Sequence, residues 1–134
     1  MINFIWESEV RAHEIDAQGI VNNSHYLCYF DHVRTLHLHA LGADWIQLSN
    51  KGINLVLSQA NLQYLKPLRA FERFKVTSTI AKEGRLKLIF TQSLYNSAGA
   101  LMCRGINTVV CVDINRNKPI AIDKVEALKN AFAE

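Results

Sequence analysis

Residues 16 to 26 read DAQGIVNNSHY and set a carboxylate, Asp16, in a Gly-containing loop just ahead of a helical pattern. A helix start is a natural partner for such a group. Its first N–H groups have no internal acceptor, and the macrodipole puts about half a positive charge there. An oxyanion developing against those donors gains ~3–4 kcal/mol in a transition state from one hydrogen bond. Asn22, Asn23 and Ser24 are all competent caps, and a cap leaves some N–H groups free to face a ligand. Asp16 lies a short loop away, so its carboxylate is able to approach a carbon held by those amides from the other side. The same residues also have plainer readings. Asp16 serves as well to open an Asx-turn, and Asn22 and Asn23 serve as cap side chains rather than ligand contacts.

The other chemistry-bearing residues form no comparable cluster. His25, His32 and His39 recur every seven residues along the helical pattern. Seven residues span ~10.5 Å of helix, too far for two of them to share a metal, which wants i and i+4 spacing. They read as boundary residues of the apolar face, with His25 set apart by lying one turn from the helix start. His13 is close enough in sequence to tune the pKa of Asp16, or is simply a solvated loop residue. Cys28, Cys103 and Cys111 are far apart and lack C-x-x-C spacing, which argues for reduced thiols and against a zinc site or a disulfide framework. Neither a metal nor a cofactor is expected.

The whole sequence bounds these readings. Its 134 residues suit one domain, expected to span 1–134, and are enough to bury a core. A hydrophobic fraction of 49% with 20% charged residues is that of a globular protein. The formal charge of +3 comes without a concentrated basic stripe, so nucleic-acid binding is not expected. MINFIWESEV lacks the basic and apolar regions of a signal peptide, and no run approaches the ~18 apolar residues that cross a bilayer. A cytoplasmic protein without a membrane partner is the expectation.

The elements that must position the loop follow from periodicity. Phe4 to Ala12 reads as a strand with Phe4, Trp6, Ser8 and Val10 on one face. Ser24 to about Leu41 reads as a helix, with Tyr26, Tyr29, Phe30, Val33, Leu36 and Ala40 as its apolar face. Leu27, Leu38 and Leu41 widen that face, as expected of a helix enclosed by other elements. Gly42 reads as the C-terminal cap, and Asp44 to Asn50 as a short second helix. Ile53 to Leu65 is a long strand. FERFKVTSTI, RLKLIFTQSLY and ALMCRGINTVVCVDI alternate in polarity and are joined by the turns KEG and NSAG, an antiparallel meander. KVEALKNAFAE ends the sequence as a small amphipathic helix. One strand, one long helix and four further strands are satisfied by a curved antiparallel sheet wrapped around a central helix.

The stretch VRAHEIDAQGIVNNSHYLCYFDHVR, with LQYLKPL about forty residues on, resembles the hotdog-fold acyl-CoA thioesterases of the 4-hydroxybenzoyl-CoA thioesterase family. Asp16, Gly19, Val21 and Tyr26 carry the spacing, and Phe30-Asp31, Arg34, Tyr64 and Pro67 match as well. The resemblance implies an α+β hotdog fold, a curved antiparallel five-stranded sheet around one long helix. It implies hydrolysis of an acyl-CoA thioester to free acid and coenzyme A. Asp16 takes the role of nucleophile or of general base for water, and the backbone N–H of Asn23 polarises the thioester carbonyl. Gly19, Val21, Asn22, His25 and Tyr26 would surround the substrate. Lys82, Arg85 and Lys87, around the KEG turn, would contact the phosphates of coenzyme A, or form a solvated hairpin; Lys66 and Arg69 are weaker candidates. The sequence departs from relatives that have His or Tyr at Asn23, His at Ile20, or Asp at Glu14.

Three other functions compete. An acyl-carrier-protein thioesterase would share the basic surface. A hotdog dehydratase usually pairs a His with a carboxylate, and this loop offers no His in that place. A non-catalytic acyl-thioester-binding module would be expected to carry an appended domain. Hotdog protomers generally pair edge to edge with the site between them, so a homo-oligomer, a dimer or more readily a homotetramer, is expected.

Overall fold

A computed structural model of the protein describes residues 2–133. Its sheet runs in the order β1 (Ile2–Glu9), β3 (Arg73–Glu83), β4 (Lys87–Asn96), β5 (Leu101–Asp113) and β2 (Ile53–Tyr64), antiparallel at every pairing. The long helix α1 (Asn23–Ala40) packs on one face, followed by α2 (Trp45–Asn50); α3 (Glu126–Ala131) comes near the C-terminus. The five expected strands form this sheet, and a sixth, β6 (Lys118–Ile120), adds a three-residue pairing to β5. The alternation rule missed it because three residues carry no period, and Pro119 counts against a strand except at an edge.

β1 ends at Glu9 instead of reaching Ala12. Ala12–Glu14 turns into a 3-10 helix, although Val10 keeps the inward phase of the strand and is fully buried. Near the C-terminus, α3 is shorter than KVEALKNAFAE and follows a 3-10 turn at Ile122–Lys124. The last residue of that expected helix lies outside the described residues.

The helix starts at Asn23 because Asn22, in extended backbone, caps it: Asn22 Oδ1 accepts the Ser24 N–H at 3.0 Å. It stops at Gly42. There the Gly42 N–H donates to His39 C=O and the Ala43 N–H to Leu38 C=O, both at 2.9 Å, with Gly42 at φ +90°. That is the two-bond Schellman closure that a left-handed glycine permits. Leu38 and Ala43, the pair such a closure brings together, are both buried.

The face that α1 buries differs from the expected stripe. Tyr26, Tyr29, Phe30 and Val33 are buried, but Arg34, His37 and Leu38 continue the face in place of Leu36 and Ala40. A 3.6-residue repeat carried on from Tyr26 and Val33 reaches His37, and Leu36 and Ala40 both fall on the flank away from Arg34 and Leu38. The enclosure is also one-sided. Leu27 is 39% exposed and Cys28 is exposed, so within one protomer the outer face of α1 is open.

Two apolar clusters lie between α1 and the sheet. One, at the N-terminal end of α1, gathers Val21, Tyr26, Tyr29, Phe30, Phe74 and Leu94. The other, at its C-terminal end, gathers Leu38, Ile80, Leu88, Phe90, Ile122 and Leu128. Burying a side chain such as Phe30 or Leu128 contributes roughly 1.5–3 kcal/mol. The helix approaches β5 closely at Gly105, where a Cβ would meet the Phe30 ring at 3.0 Å.

Candidate active site

The DAQG segment folds as a small hairpin. Ile15 and Val21 form an antiparallel bridge, the Asp16 N–H donates to Ile20 C=O at 2.9 Å, and the Gly19 N–H donates to Asp16 C=O at 3.0 Å. Gly19, at φ +78°, supplies the left-handed residue that closes such a loop. Asp16 Oδ1 accepts the Gln18 N–H at 2.8 Å, so the Asx-turn is present. That bond fixes the carboxylate's orientation and leaves Oδ2 without a partner among the described residues. The Asp16 side chain is partly buried.

Two ties hold this hairpin against the rest of the fold. The Val21 N–H donates to Leu68 C=O at 2.9 Å, and Ile20 bridges Arg69. On the other side, Glu14 is 3% exposed. Its Oε1 accepts the Arg11 N–H at 2.8 Å and the Tyr29 hydroxyl at 2.9 Å, and its Oε2 accepts Arg11 Nη2 at 2.8 Å. Burial raises the carboxyl's pKa, but the Arg11 and Tyr29 hydrogen bonds outweigh it and hold Glu14 below the usual carboxylate range. The Tyr29 hydroxyl is pushed well above its ordinary value, first by burial and then by donating to Glu14.

At the helix start the amides divide. Asn22 Oδ1 takes the Ser24 N–H and also its hydroxyl, and Asn22 C=O takes the His25 N–H at 2.9 Å. The Asn22 side chain is thus occupied as a cap. The Asn23 N–H has no acceptor among the described residues, while its C=O accepts the Tyr64 hydroxyl at 3.3 Å. Beside it opens a cleft of about 210 Å³, lined by Val21, Asn23 and Tyr26 on one side and Tyr64, Lys66 and Pro67 on the other. Tyr26 and Tyr64 meet edge to face with ring centroids 5.5 Å apart, and the Tyr26 hydroxyl accepts the Leu68 N–H at 3.1 Å.

Asp16, Gly19, Val21, Asn22, Asn23, His25 and Tyr26 therefore share one end of α1, and Lys66 and Arg69 join them. His25 is partly buried, with its ring centroid 6.3 Å from that of exposed His13. Lys82, Arg85 and Lys87 do not join. Lys82 pairs across the hairpin with Leu88 of the far cluster and forms an ion pair with Asp123 at 2.9 Å. Arg85 C=O accepts the Ile122 N–H, so this turn sits at the opposite end of the same helix.

Other candidates lack chemistry. Burial pushes the thiols of Cys103 and Cys111 up to about 12 and about 11, which leaves them inert as nucleophiles. Among the described residues, no three His, Cys, Asp or Glu side chains converge on a point that would hold a metal. A larger groove of about 650 Å³ lies at the far end of α1, near Leu41, Lys51, Val125 and Ala127, and its lining offers no His, Cys, Ser or Tyr. A third depression, of about 630 Å³, runs between the outer side of α1 and β2, past Asp31, Thr35, Trp45 and Leu57. β2 is a sheet edge bonded on one side only, and Trp45, Val56 and Leu57 are 59%, 40% and 41% exposed beside it.

Sequence reasoning gave Tyr29 only a place on the apolar face of α1, without its hydroxyl's partner, and gave Gln92 and Asn107 no role. Tyr29, Gln92 and Asn107 all sit at buried positions of apolar patterns, where a polar group signals a specific partner.

Comparison with known proteins agrees with this architecture. Residues 10–132 match the sequence family described as the thioesterase-like superfamily. The Bacillus subtilis protein named "Putative acyl-CoA thioesterase YneP" is 32% identical over 118 residues, 88% of this chain and 86% of that one. The Arabidopsis thaliana acyl-acyl carrier protein thioesterase ATL3 is 29% identical over 119 residues, 87% of this chain and 61% of that one. The crystal structure of the DHNA-CoA thioesterase from Staphylococcus aureus superposes with a TM-score of 0.85 at 27% identity, covering 100% of this chain and 97% of that one.

Proposed function

The protein belongs to the thioesterase-like superfamily, and on that premise we propose that it hydrolyses an acyl-CoA thioester to a free carboxylic acid and coenzyme A at the loop-to-helix site. The observation that carries the reading is the Asn23 N–H, which has no acceptor among the described residues and opens on a cleft lined by Ile20 and Val21, the closing residues of the hairpin that begins at Asp16. The thioester carbonyl oxygen accepts from that N–H, and the helix dipole adds to the stabilisation as the oxygen gains charge. Asp16 then acts in one of two ways. As nucleophile, Oδ2 bonds to the carbonyl carbon, the C–S bond breaks, thiolate leaves, and water hydrolyses the resulting anhydride. As general base, it takes a proton from water, whose oxygen forms the new C–O bond while the C–S bond breaks. A thiolate leaves readily, so neither route demands a strong acid beside the sulfur.

The reading includes a second copy of the protein. The exposed apolar edge of β2 and the open side of α1 are surfaces that a two-fold partner would cover. An antiparallel pairing of two β2 edges carries the partner's KEG turn to the end of the joined sheet that holds Asp16. Lys82, Arg85 and Lys87 of one copy would then serve the phosphates bound at the site of the other. A single domain covering 1–134 is part of the same reading.

The test is a panel of acyl-CoAs and the same acyl groups on acyl carrier protein, followed by release of free thiol. Turnover of acyl-CoA supports the proposal. Turnover of acyl carrier protein alone would move the activity to that donor, as the likeness to ATL3 suggests. An enoyl thioester formed without thiol would replace hydrolysis with dehydration.

A further inference from the structure

We propose that Glu14 is a positioning residue that sets the Asp16 loop against the start of α1, an inference that rests on the hydrolytic reading of that site. Glu14 reaches both parts at once. Its carboxylate takes three hydrogen bonds, two from Arg11, which lies past the end of β1 at the start of the 3-10 turn, and one from Tyr29, two turns into α1. Its backbone carbonyl accepts the Asn22 N–H at 3.1 Å, and Asn22 is the residue that caps α1. Asp16 follows two residues later, already turned by its own bonds to Ile20 and Gly19. The segment carrying the carboxylate and the peptide that precedes the free Asn23 amide are thus fixed to one buried residue.

Stability alone does not account for a charge here. A carboxylate that is 3% exposed carries a desolvation cost that an apolar group of similar volume avoids. Tyr29 would remain well packed without it, since its ring lies 4.8 Å from Phe74 and 6.0 Å from Tyr26 by centroid. What the charge adds is direction. Arg11, 57% exposed, closes over Glu14 with a charge-assisted bond, so both carboxylate oxygens are held and the peptide from Glu14 to Asp16 has one orientation. Displacements of ~1 Å remote from the reacting atoms cost up to about 10²-fold in rate, which makes this lever matter for turnover more than for folding.

The experiment compares Glu14→Gln, Glu14→Asp and Leu128→Ala, the last in the far cluster as a destabilised control. Glu14→Gln keeps an acceptor for the Arg11 amide and Tyr29 but sets an NH2 against Arg11 Nη2. Its kcat is expected to fall at least ~10-fold with KM within about twofold. Glu14→Asp keeps the charge and is expected to recover most of kcat, and Leu128→Ala to lose stability without that drop. Amide exchange is followed in parallel, with faster exchange expected in Glu14→Gln across residues 14–24 and no change in β4 and β5. Should the parent protein release no thiol from any donor, the hydrolytic reading fails by itself, and the exchange pattern alone decides whether Glu14 holds the loop to the helix. The proposal is overturned if Glu14→Gln leaves kcat and exchange unchanged, or if Leu128→Ala loses kcat in the same proportion to its loss of melting temperature.

Discussion

Arg34 Nη1 donates to Gln92 Oε1 at 3.1 Å, joining the middle of α1 to the middle of β4 inside the core. The same Oε1 accepts Asn107 Nδ2 at 2.9 Å, and Gln92 Nε2 donates to the Phe30 C=O at 3.0 Å. Arg34 is 4% exposed, and burial pulls its pKa below the ordinary guanidinium value although Asp31, 3.3 Å away, opposes this. This polar layer lies between the two apolar clusters and fixes where α1 sits along the sheet. Gln92→Leu is expected to cost ~2–4 kcal/mol in urea unfolding, because it strands a buried cation and an amide together. Arg34→Met combined with Gln92→Leu should cost less than the sum of the two single changes. Simple additivity would mean that the two side chains do not act on each other.

His37 gives the fold an acid limit. Its Nδ1 lies 3.0 Å from Ser78 Oγ, its Nε2 has no partner among the described residues, and burial pulls its pKa down to about 4 from an ordinary 6.5. The unfolded state takes up a proton below about 6.5 while the folded state resists until about 4. The contribution is therefore complete above pH 6.5 and is lost as the pH falls through that window. Stability measured by urea unfolding at pH 7, 6, 5 and 4 should decline, and His37→Leu should flatten the decline whatever it does to stability at pH 7. An unchanged slope in the variant would remove His37 from the account.

The edge of β2 should decide assembly. Val56→Lys places a charge on an edge strand, a common device against strand pairing. If the proposed pairing of β2 edges completes the site, the variant is expected to sediment as a monomer with an unchanged far-ultraviolet spectrum and to lose at least ~10-fold in turnover. A variant that stays oligomeric and active would place the contact elsewhere.

Legibility followed period and local chemistry. β3 to β5 were readable from two-residue alternation and β2 from a long unbroken run. Gly42 marked the helix end, while Asn22, Asn23 and Ser24 were equal candidates for the cap that Asn22 supplies, and α1 begins one residue ahead of the expected start. The inner face of α1 was not. Arg34 and His37 are charged or titratable by type, and their burial rests on Gln92, 58 residues from Arg34, and Ser78, 41 residues from His37. One signal was available: Ser78 and Gln92 occupy the inward phase of their strands, between Val76 and Ile80 and between Phe90 and Leu94, so a polar seam under the helix was inferable. At the site, the Asx-turn and the catalytic reading of Asp16 stood as alternatives in the sequence. The geometry makes them compatible, because the turn uses one carboxylate oxygen and leaves the other. The basic turn at Lys82–Lys87 could not be placed from sequence, since which end of α1 it reaches depends on the strand order.

The most direct measurement is thiol release by Asp16→Asn. The amide oxygen of asparagine still accepts the Gln18 N–H, so the turn survives and only the charge and the free carboxylate oxygen are lost. The account predicts a fall of about 10²-fold or more in kcat, as for loss of a central catalytic group, with an unchanged melting temperature. Turnover equal to that of the parent protein would contradict it and assign Asp16 to the turn alone.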